Sequence, residues 1–176
     1  MSHEVFISYA SEDKSIADEI RWHLEENEIG CWIAPRDIKP GMEYAEAIVD
    51  AIDKSKAMVL VFSAHANRSP QVRREVERAV SKDIHIIPFR IENVSPTNSM
   101  EYYISSPHWL NAFPPPLSEH LEKLLDAVRN LLQKKRIPEE VPRREIEMVK
   151  RLPSVQEKEF HRRQLIKAAN LYKLGE

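Results

Sequence analysis

The strongest constraint on the fold is an alternation of short β-rich runs with segments of helical periodicity. At its centre lie six consecutive apolar residues, Ala57 to Phe62, a pattern typical of a strand that is covered on both faces of a parallel sheet. Further strands are predicted at 5–9, 31–34 and 84–89. Because helical patterns separate these strands, right-handed βαβ units are expected, and the sequence predicts an α/β fold with a parallel sheet and helices on both faces.

Apolar residues spaced three or four positions apart predict a helix after each strand. The first helix is predicted to begin at Ser11, which has a side chain suited to an N-cap. The second carries Tyr44 on its apolar face, and the third begins at Pro70 after a polar loop over 63–69. A final helix rich in leucine is predicted to begin near Ser118.

Charge is distributed unevenly along the chain. Residues 134–176 contain 12 Lys and Arg against 7 Asp and Glu, whereas residues 1–133 contain 14 basic and 21 acidic residues. This asymmetry predicts a domain over 1–135 and a charged, proline-broken helical extension or linker over 136–176. The basic tail contains few aromatic residues and no recognised nucleic-acid motif, so nucleic-acid binding is not expected.

Several classes of protein are disfavoured by what the sequence lacks. The longest apolar run is far shorter than the roughly 20 residues that span a bilayer. The N-terminus has no secretory pattern, and the single Cys31 is expected in the core, so a cytoplasmic protein without a membrane anchor is predicted. There is no Gly-rich nucleotide loop or GxSxG elbow, and the seven histidines form no metal-binding pattern, so no cofactor or metal site is predicted.

Two motifs then make the chain resemble a known family. The segment Glu4–Asp13 (EVFISYASED) is similar to the first box of Toll/interleukin-1 receptor (TIR) domains, and Arg36–Gly41 (RDIKPG) is similar to their second-box loop. A third segment, Ser69–Val76 (SPQVRREV), resembles the helix start that carries the catalytic glutamate in NAD-cleaving TIR enzymes of bacteria, plants and animals. The aromatic segment 109–113 is similar to the third box, and the resemblance covers about residues 1–135.

The resemblance implies a flavodoxin-like TIR fold in which Glu75 cleaves the N-glycosidic bond of NAD, with NAD as the substrate and no cofactor. It also implies a set of substrate-binding residues. The nucleotide cleft would be lined by Ser8, Tyr9 and Ala10, and the phosphates would lie near Ser11 and Arg36. The ribose site would be shaped by Ser63 and Ser69. Gln71 stands where many active relatives have an aromatic residue over nicotinamide.

The sequence pattern around Glu75 agrees with this assignment. Glu75 lies in the opening turns of the helix that follows the central strand, close to the carboxyl ends of the strands where ligands bind in such sheets. Its helical neighbours Val72 and Ala79 have core character, which predicts a carboxylate beside the core. The alternative is a surface glutamate paired with Arg74 or Arg78.

A single carboxylate is enough for this chemistry. The nicotinamide of NAD is already a cationic leaving group and departs neutral, so no general acid is needed to protonate it. The remaining task is to stabilise positive charge on the ribose. Water capture would give ADP-ribose, and capture by a group of the substrate itself would give a cyclic isomer.

Self-association is expected to contribute to function. The resemblance implies homotypic contacts through the Arg36–Gly41 loop and neighbouring helices, and activation when a second subunit covers the cleft, since Gln71 provides no aromatic lid. The expected role is an NAD glycohydrolase in bacterial defence signalling. The alternative is a non-catalytic TIR–TIR interaction module that acts as a signalling scaffold.

Overall fold

The computed structural model describes residues 3–105 and 108–136; the predicted extension from residue 137 onward lies outside them. Five strands form one sheet in which all neighbouring pairs are parallel, in the order β2-β1-β3-β4-β5. This arrangement confirms the predicted α/β class and the flavodoxin-like strand order. The strands are Val5–Ser8 (β1), Cys31–Trp32 (β2), Ala57–Phe62 (β3), His85–Arg90 (β4) and Leu110–Asn111 (β5).

Six α-helices occupy the described part of the chain, and they cover both faces of the sheet. A short 3-10 helix, Ser11–Asp13, precedes the first of them. No helix in this part of the chain is long and apolar enough to cross a bilayer. The α-helices are Lys14–Glu26 (α1), Tyr44–Lys54 (α2), Ala64–Arg68 (α3), Pro70–Ser81 (α4), Asn98–Ile104 (α5) and Leu117–Arg136 (α6).

The central strand β3 is buried along its whole length, as its uninterrupted apolar sequence predicts. Alternate side chains enter two separate cores because successive residues of a strand point to opposite faces. Val59 and Val61 pack in a core with α1 and α6. Met58, Leu60 and Phe62 pack in the other core, with α2, α4 and α5. The sheet is therefore covered on both sides, and ligand access is left to its ends.

Three local predictions were wrong. Ser11 does not cap α1: the 3-10 helix begins there, and the Ser11 hydroxyl bonds Glu12 instead. The predicted second strand is shorter, because the chain turns after Trp32 and the amide of Ile33 bonds the Asp37 carboxylate. The predicted polar loop over 63–69 contains α3, because the Ser63 side chain accepts hydrogen bonds from two amides of its first turn.

The strand order creates one crevice that matters for ligand binding. From β1 the chain continues to β2 on one side, whereas from β3 it continues to β4 on the other side. The connections therefore diverge between β1 and β3, and in parallel sheets ligands bind outside the carboxyl ends of the strands at such a point. Ser8 is the last residue of β1 and pairs with Leu60 of β3, so it marks this position.

Candidate active site

Helix α4 carries Glu75 into the crevice between β1 and β3. The Ser69 side chain caps the helix and Pro70 occupies its first turn, so both residues fix where α4 begins. The predicted neighbours Val72 and Ala79 are fully buried, and they hold this face of α4 against the sheet. Glu75 lies between them and is only 7% exposed, so the side chain is part of the packed face.

Both carboxylate oxygens of Glu75 accept a hydrogen bond from a neutral donor. The Ser8 hydroxyl donates to Oε2 over 2.6 Å, and the Gln71 side-chain amide donates to Oε1 over 2.9 Å. The alternative partner Arg78 binds Asp53 instead. Within 3–105 and 108–136, Glu75 forms no ion pair with a Lys, Arg or His side chain.

Burial raises the pKa of the Glu75 carboxyl above its ordinary value. The hydrogen bonds from Ser8 and Gln71 act in the opposite direction, because they stabilise the charged form. A buried carboxylate without a cationic partner is costly. The site is therefore suited to receive a ligand that brings positive charge.

A cavity of about 410 Å³ opens beside Glu75, within the size range of small-molecule sites. Six of the predicted site residues line it, and Ser8, which is not one of the lining residues, donates its hydrogen bond to the Glu75 carboxylate. In the part of the chain that the structure describes, Glu75 is the one carboxylate that lines this cavity. The predicted residues that the cavity brings together are Tyr9, Ala10, Ser11, Ser69, Gln71 and Glu75.

Ser63 and Arg36 are not part of this cavity. Ser63 is fully buried and donates a hydrogen bond of 2.5 Å to Asp13 while it caps α3. Arg36 donates to Glu25 and Asp37 and lines a separate cavity of about 1060 Å³ beside the edge strand β2. The structure therefore gives both side chains local partners away from Glu75.

Six residues that were not among the predicted site residues also line the cavity: Phe6, Ile7, Lys14, Ala34, Pro35 and Tyr44. Tyr44 was expected on the buried face of α2, but it is 52% exposed, and the buried positions of that helix begin at Ala47. Burial and then the charge of Glu75 raise the pKa of Tyr44. The sequence held one signal for this position: Tyr44 is the first residue of a helix that follows a loop at the carboxyl ends of the strands, where ligands bind.

Cys31, in contrast, has the structural role that was predicted. It is buried, and this burial raises the pKa of its thiol to about 12. A thiol with such a pKa is protonated at neutral pH and is a poor nucleophile. Among the described residues, no three His, Cys, Asp or Glu side chains come together to hold a metal ion.

A family model that describes the TIR domain matches residues 5–125. This range includes β1, α4 and the Glu75 cavity. The chain belongs to the TIR domain family. No curated protein sequence matches the chain, so this membership rests on the family model and agrees with the structural comparisons below.

Solved TIR structures have the same fold as this TIR domain. The TIR domain of the Toll-related receptor TRR-2 from Hydra magnipapillata is 24% identical, with a TM-score of 0.59, and the match covers 77% of this chain and 99% of that one. The TIR domains of the activated Roq1 resistosome are 18% identical, with a TM-score of 0.60 and coverage of 72% and 99%.

An enzyme is also among the structures of similar fold. The Clostridium botulinum CMP N-glycosidase BcmB is 19% identical, with a TM-score of 0.51, and the match covers 69% of this chain and 97% of that one. At this level of identity the likeness concerns the fold. The chemistry of the TIR domain described here has to be argued from its own site.

Proposed function

We propose that this TIR domain is an NAD glycohydrolase and that Glu75 is its catalytic residue. The observation that carries the proposal is the Glu75 carboxylate itself. It is buried, it accepts two neutral hydrogen bonds, and it lines a cavity at the point where the β1 and β3 connections diverge.

The reaction breaks the bond between C1′ of the ribose and the ring nitrogen of nicotinamide. The bonding electron pair moves to the nitrogen, so the cationic ring leaves as neutral nicotinamide. Positive charge develops on the ribose, and the fixed Glu75 carboxylate stabilises it. A water oxygen then bonds to C1′ and its proton passes to Glu75, which gives ADP-ribose. Attack by a nitrogen of the substrate's adenine gives a cyclic isomer instead.

The charge of the site favours NAD over a nucleotide with a neutral base. A neutral base must gain a proton in order to leave, and this usually requires a second acid beside the stabilising carboxylate. Glu75 is the one carboxylate that lines the cavity among the described residues. NAD needs no such acid, and its cationic nicotinamide ring brings the positive partner that the Glu75 carboxylate does not have among the described residues. The N-glycosidase of similar fold acts, by its name, on CMP, so a fold of this kind can accommodate N-glycosidic chemistry.

Other residues of the cavity have the properties that NAD binding requires. Tyr44 and Tyr9 offer aromatic surface, and Tyr44 stands half exposed at the start of α2. Lys14 and Ser11 lie at the 3-10 helix that precedes α1, where a phosphate of the dinucleotide would meet a positive charge and a hydroxyl. The aromatic contact that Gln71 does not provide is therefore available from Tyr44.

The test is to incubate the purified protein with NAD at high protein concentration and to measure released nicotinamide. Glu75→Gln should release at least about 100-fold less, because the neutral amide cannot stabilise the ribose cation. Glu77→Gln is the matched control, since Glu77 is exposed on the same helix, and it should retain full activity. Equal release by wild type and Glu75→Gln would rule out the catalytic role. Chromatography of the products separates ADP-ribose from a cyclic isomer.

A second function, homotypic contact, is supported by the exposure of the loop before α2. Residues 39–46 form a continuous exposed segment that contains the end of the RDIKPG motif and the first turn of α2. The segment includes Tyr44, which lines the cavity, so a second TIR domain docked on it would cover the site. We expect self-association to raise the specific activity for NAD cleavage. We also expect the protein to act in the cytoplasm, in bacterial defence signalling. If the protein assembles but releases no nicotinamide, the scaffold role is the one supported.

A further inference from the structure

We propose that Gln71 determines the specificity of the site for its leaving group: its side-chain amide recognises the carboxamide of nicotinamide and rejects the carboxylate of nicotinic acid. This inference rests on the proposed NAD cleavage and goes beyond it, because it names the residue that distinguishes NAD from its deamidated analogue.

The hydrogen bond to Glu75 fixes how the Gln71 amide is turned. Gln71 lies one helical turn before Glu75, and its Nε2 donates to Glu75 Oε1 over 2.9 Å. An ionised carboxylate only accepts hydrogen bonds, so the nitrogen of the amide must face it and the amide oxygen must face away. One N–H of Gln71 is used in this bond. The second N–H and the carbonyl oxygen remain for a ligand in the cavity that Gln71 lines.

The reaction brings the leaving group within reach of this amide. Glu75 must lie beside C1′ of the ribose in order to stabilise its charge, and the nicotinamide ring is attached to that same carbon. Gln71 is next to Glu75 on the same face of α4 and lines the same cavity. The carboxamide of nicotinamide carries an N–H donor and a carbonyl acceptor, which complement the carbonyl and the second N–H of Gln71.

Nicotinic acid cannot make the same contacts. Its carboxylate has no N–H to give to the Gln71 oxygen, and its negative charge is repelled by Glu75. Lys14 is the one Lys or Arg that lines the cavity among the described residues, and it is paired with Asp18. A second carboxylate beside Glu75 would therefore be left without a cation of its own, which is costly at a buried site.

The experiment compares two substrates, NAD and nicotinic acid adenine dinucleotide, in wild type and Gln71→Met. Methionine has a similar length but no amide. Wild type should prefer NAD by more than about 100-fold, since a site with a matched hydrogen bond strongly rejects an analogue that leaves it unpaired. In Gln71→Met the ratio of the two kcat/KM values should fall about tenfold, the size of one lost hydrogen bond. The ratio is the decisive readout, because a merely structural role of Gln71 would lower both values equally.

Arg73→Met is the matched control, since Arg73 is exposed on the same helix, and it should leave the ratio unchanged. Gln71→Leu repeats the test with a second apolar side chain in case the methionine variant does not fold. If wild type cleaves NAD and the ratio stays within about twofold of wild type in a folded Gln71 variant, the specificity role is overturned and the NAD reaction stands. If assembled wild type cleaves neither dinucleotide, both proposals are overturned.

Discussion

Ser8 and Glu75 are 67 positions apart in the sequence, yet the Ser8 hydroxyl donates a buried hydrogen bond of 2.6 Å to the Glu75 carboxylate. The bond joins the last residue of β1 to the middle of α4. It has two effects: it holds one oxygen of the carboxylate in place, and it opposes the rise in pKa that burial causes.

Removing this donor should change the pH dependence of NAD cleavage. In Ser8→Ala the charged form of Glu75 loses one hydrogen bond, so the pKa of Glu75 should rise further. The acidic limb of kcat/KM against pH should move to higher pH, and activity near neutral pH should fall about tenfold. Ser81→Ala, at the exposed end of α4, should leave the profile unchanged. A Ser8→Ala profile that coincides with wild type would contradict this role.

Glu75 should also make folding stability depend on pH. Its folded pKa is raised, so between the unfolded and the folded pKa the native state binds more protons than the unfolded state, and stability falls as pH rises through that window. In Glu75→Gln the side chain does not titrate, so this fall in folding stability with rising pH is removed. The variant should melt several degrees above wild type at pH 8, at about 4 °C per kcal/mol for a domain of this size. The difference should shrink below pH 4. Scanning calorimetry at both values checks this, and an equal difference at both would speak against it.

The packing of α4 gives a prediction with a matched pair of substitutions. Val76 is fully buried between α4 and the sheet, whereas Val80, one turn later, is 44% exposed. Val76→Ala should lower the free energy of unfolding by about 1–3 kcal/mol, through lost burial and the small cavity left behind. Val80→Ala should change it by less than about 0.5 kcal/mol. Urea denaturation measures both; similar losses would mean that α4 does not pack through this face.

Arg36 offers a way to separate two roles of the RDIKPG loop. In the structure its guanidinium binds Glu25 and Asp37, away from the Glu75 cavity. If the loop serves self-association, Arg36→Ala should raise the protein concentration needed for half-maximal activity by about tenfold and leave KM for NAD unchanged. Arg73→Ala is the control. An increase in KM at saturating protein concentration would instead assign Arg36 to phosphate binding, as first expected from the sequence.

The fold could be predicted because the sequence encodes it locally. Ala57 to Phe62 is apolar without interruption, and the structure buries it at the sheet centre. The helical stripe with Val72 and Ala79 likewise predicted which face of α4 is buried. These patterns report burial directly. The carboxyl edge of the sheet then follows from the parallel connections, and with it the position of Glu75.

The partners of the site residues were less predictable, because they depend on distant parts of the chain. Ser63 was expected near ribose, but its hydroxyl donates a hydrogen bond to Asp13 and accepts hydrogen bonds from two amides in the first turn of α3. Tyr44 was expected in the core, but the first turn of α2 extends past the residues that cover the sheet. Whether a side chain at a helix end packs in the core or lines a cavity depends on where the neighbouring strands and helices end. Hydrophobic periodicity along the helix does not encode where those neighbours end.

The site is also a late product of folding. Strand β1 leaves the ribosome before α4, so its Ser8 meets Glu75 only after β2, β3 and most of α4 have been synthesised and docked. Closing such a long segment of chain is favourable only once the sheet and the helix pack together. A nascent or partly unfolded chain therefore has no fixed carboxylate beside a cavity, and the proposed NAD cleavage is restricted to copies of the domain whose folding is complete.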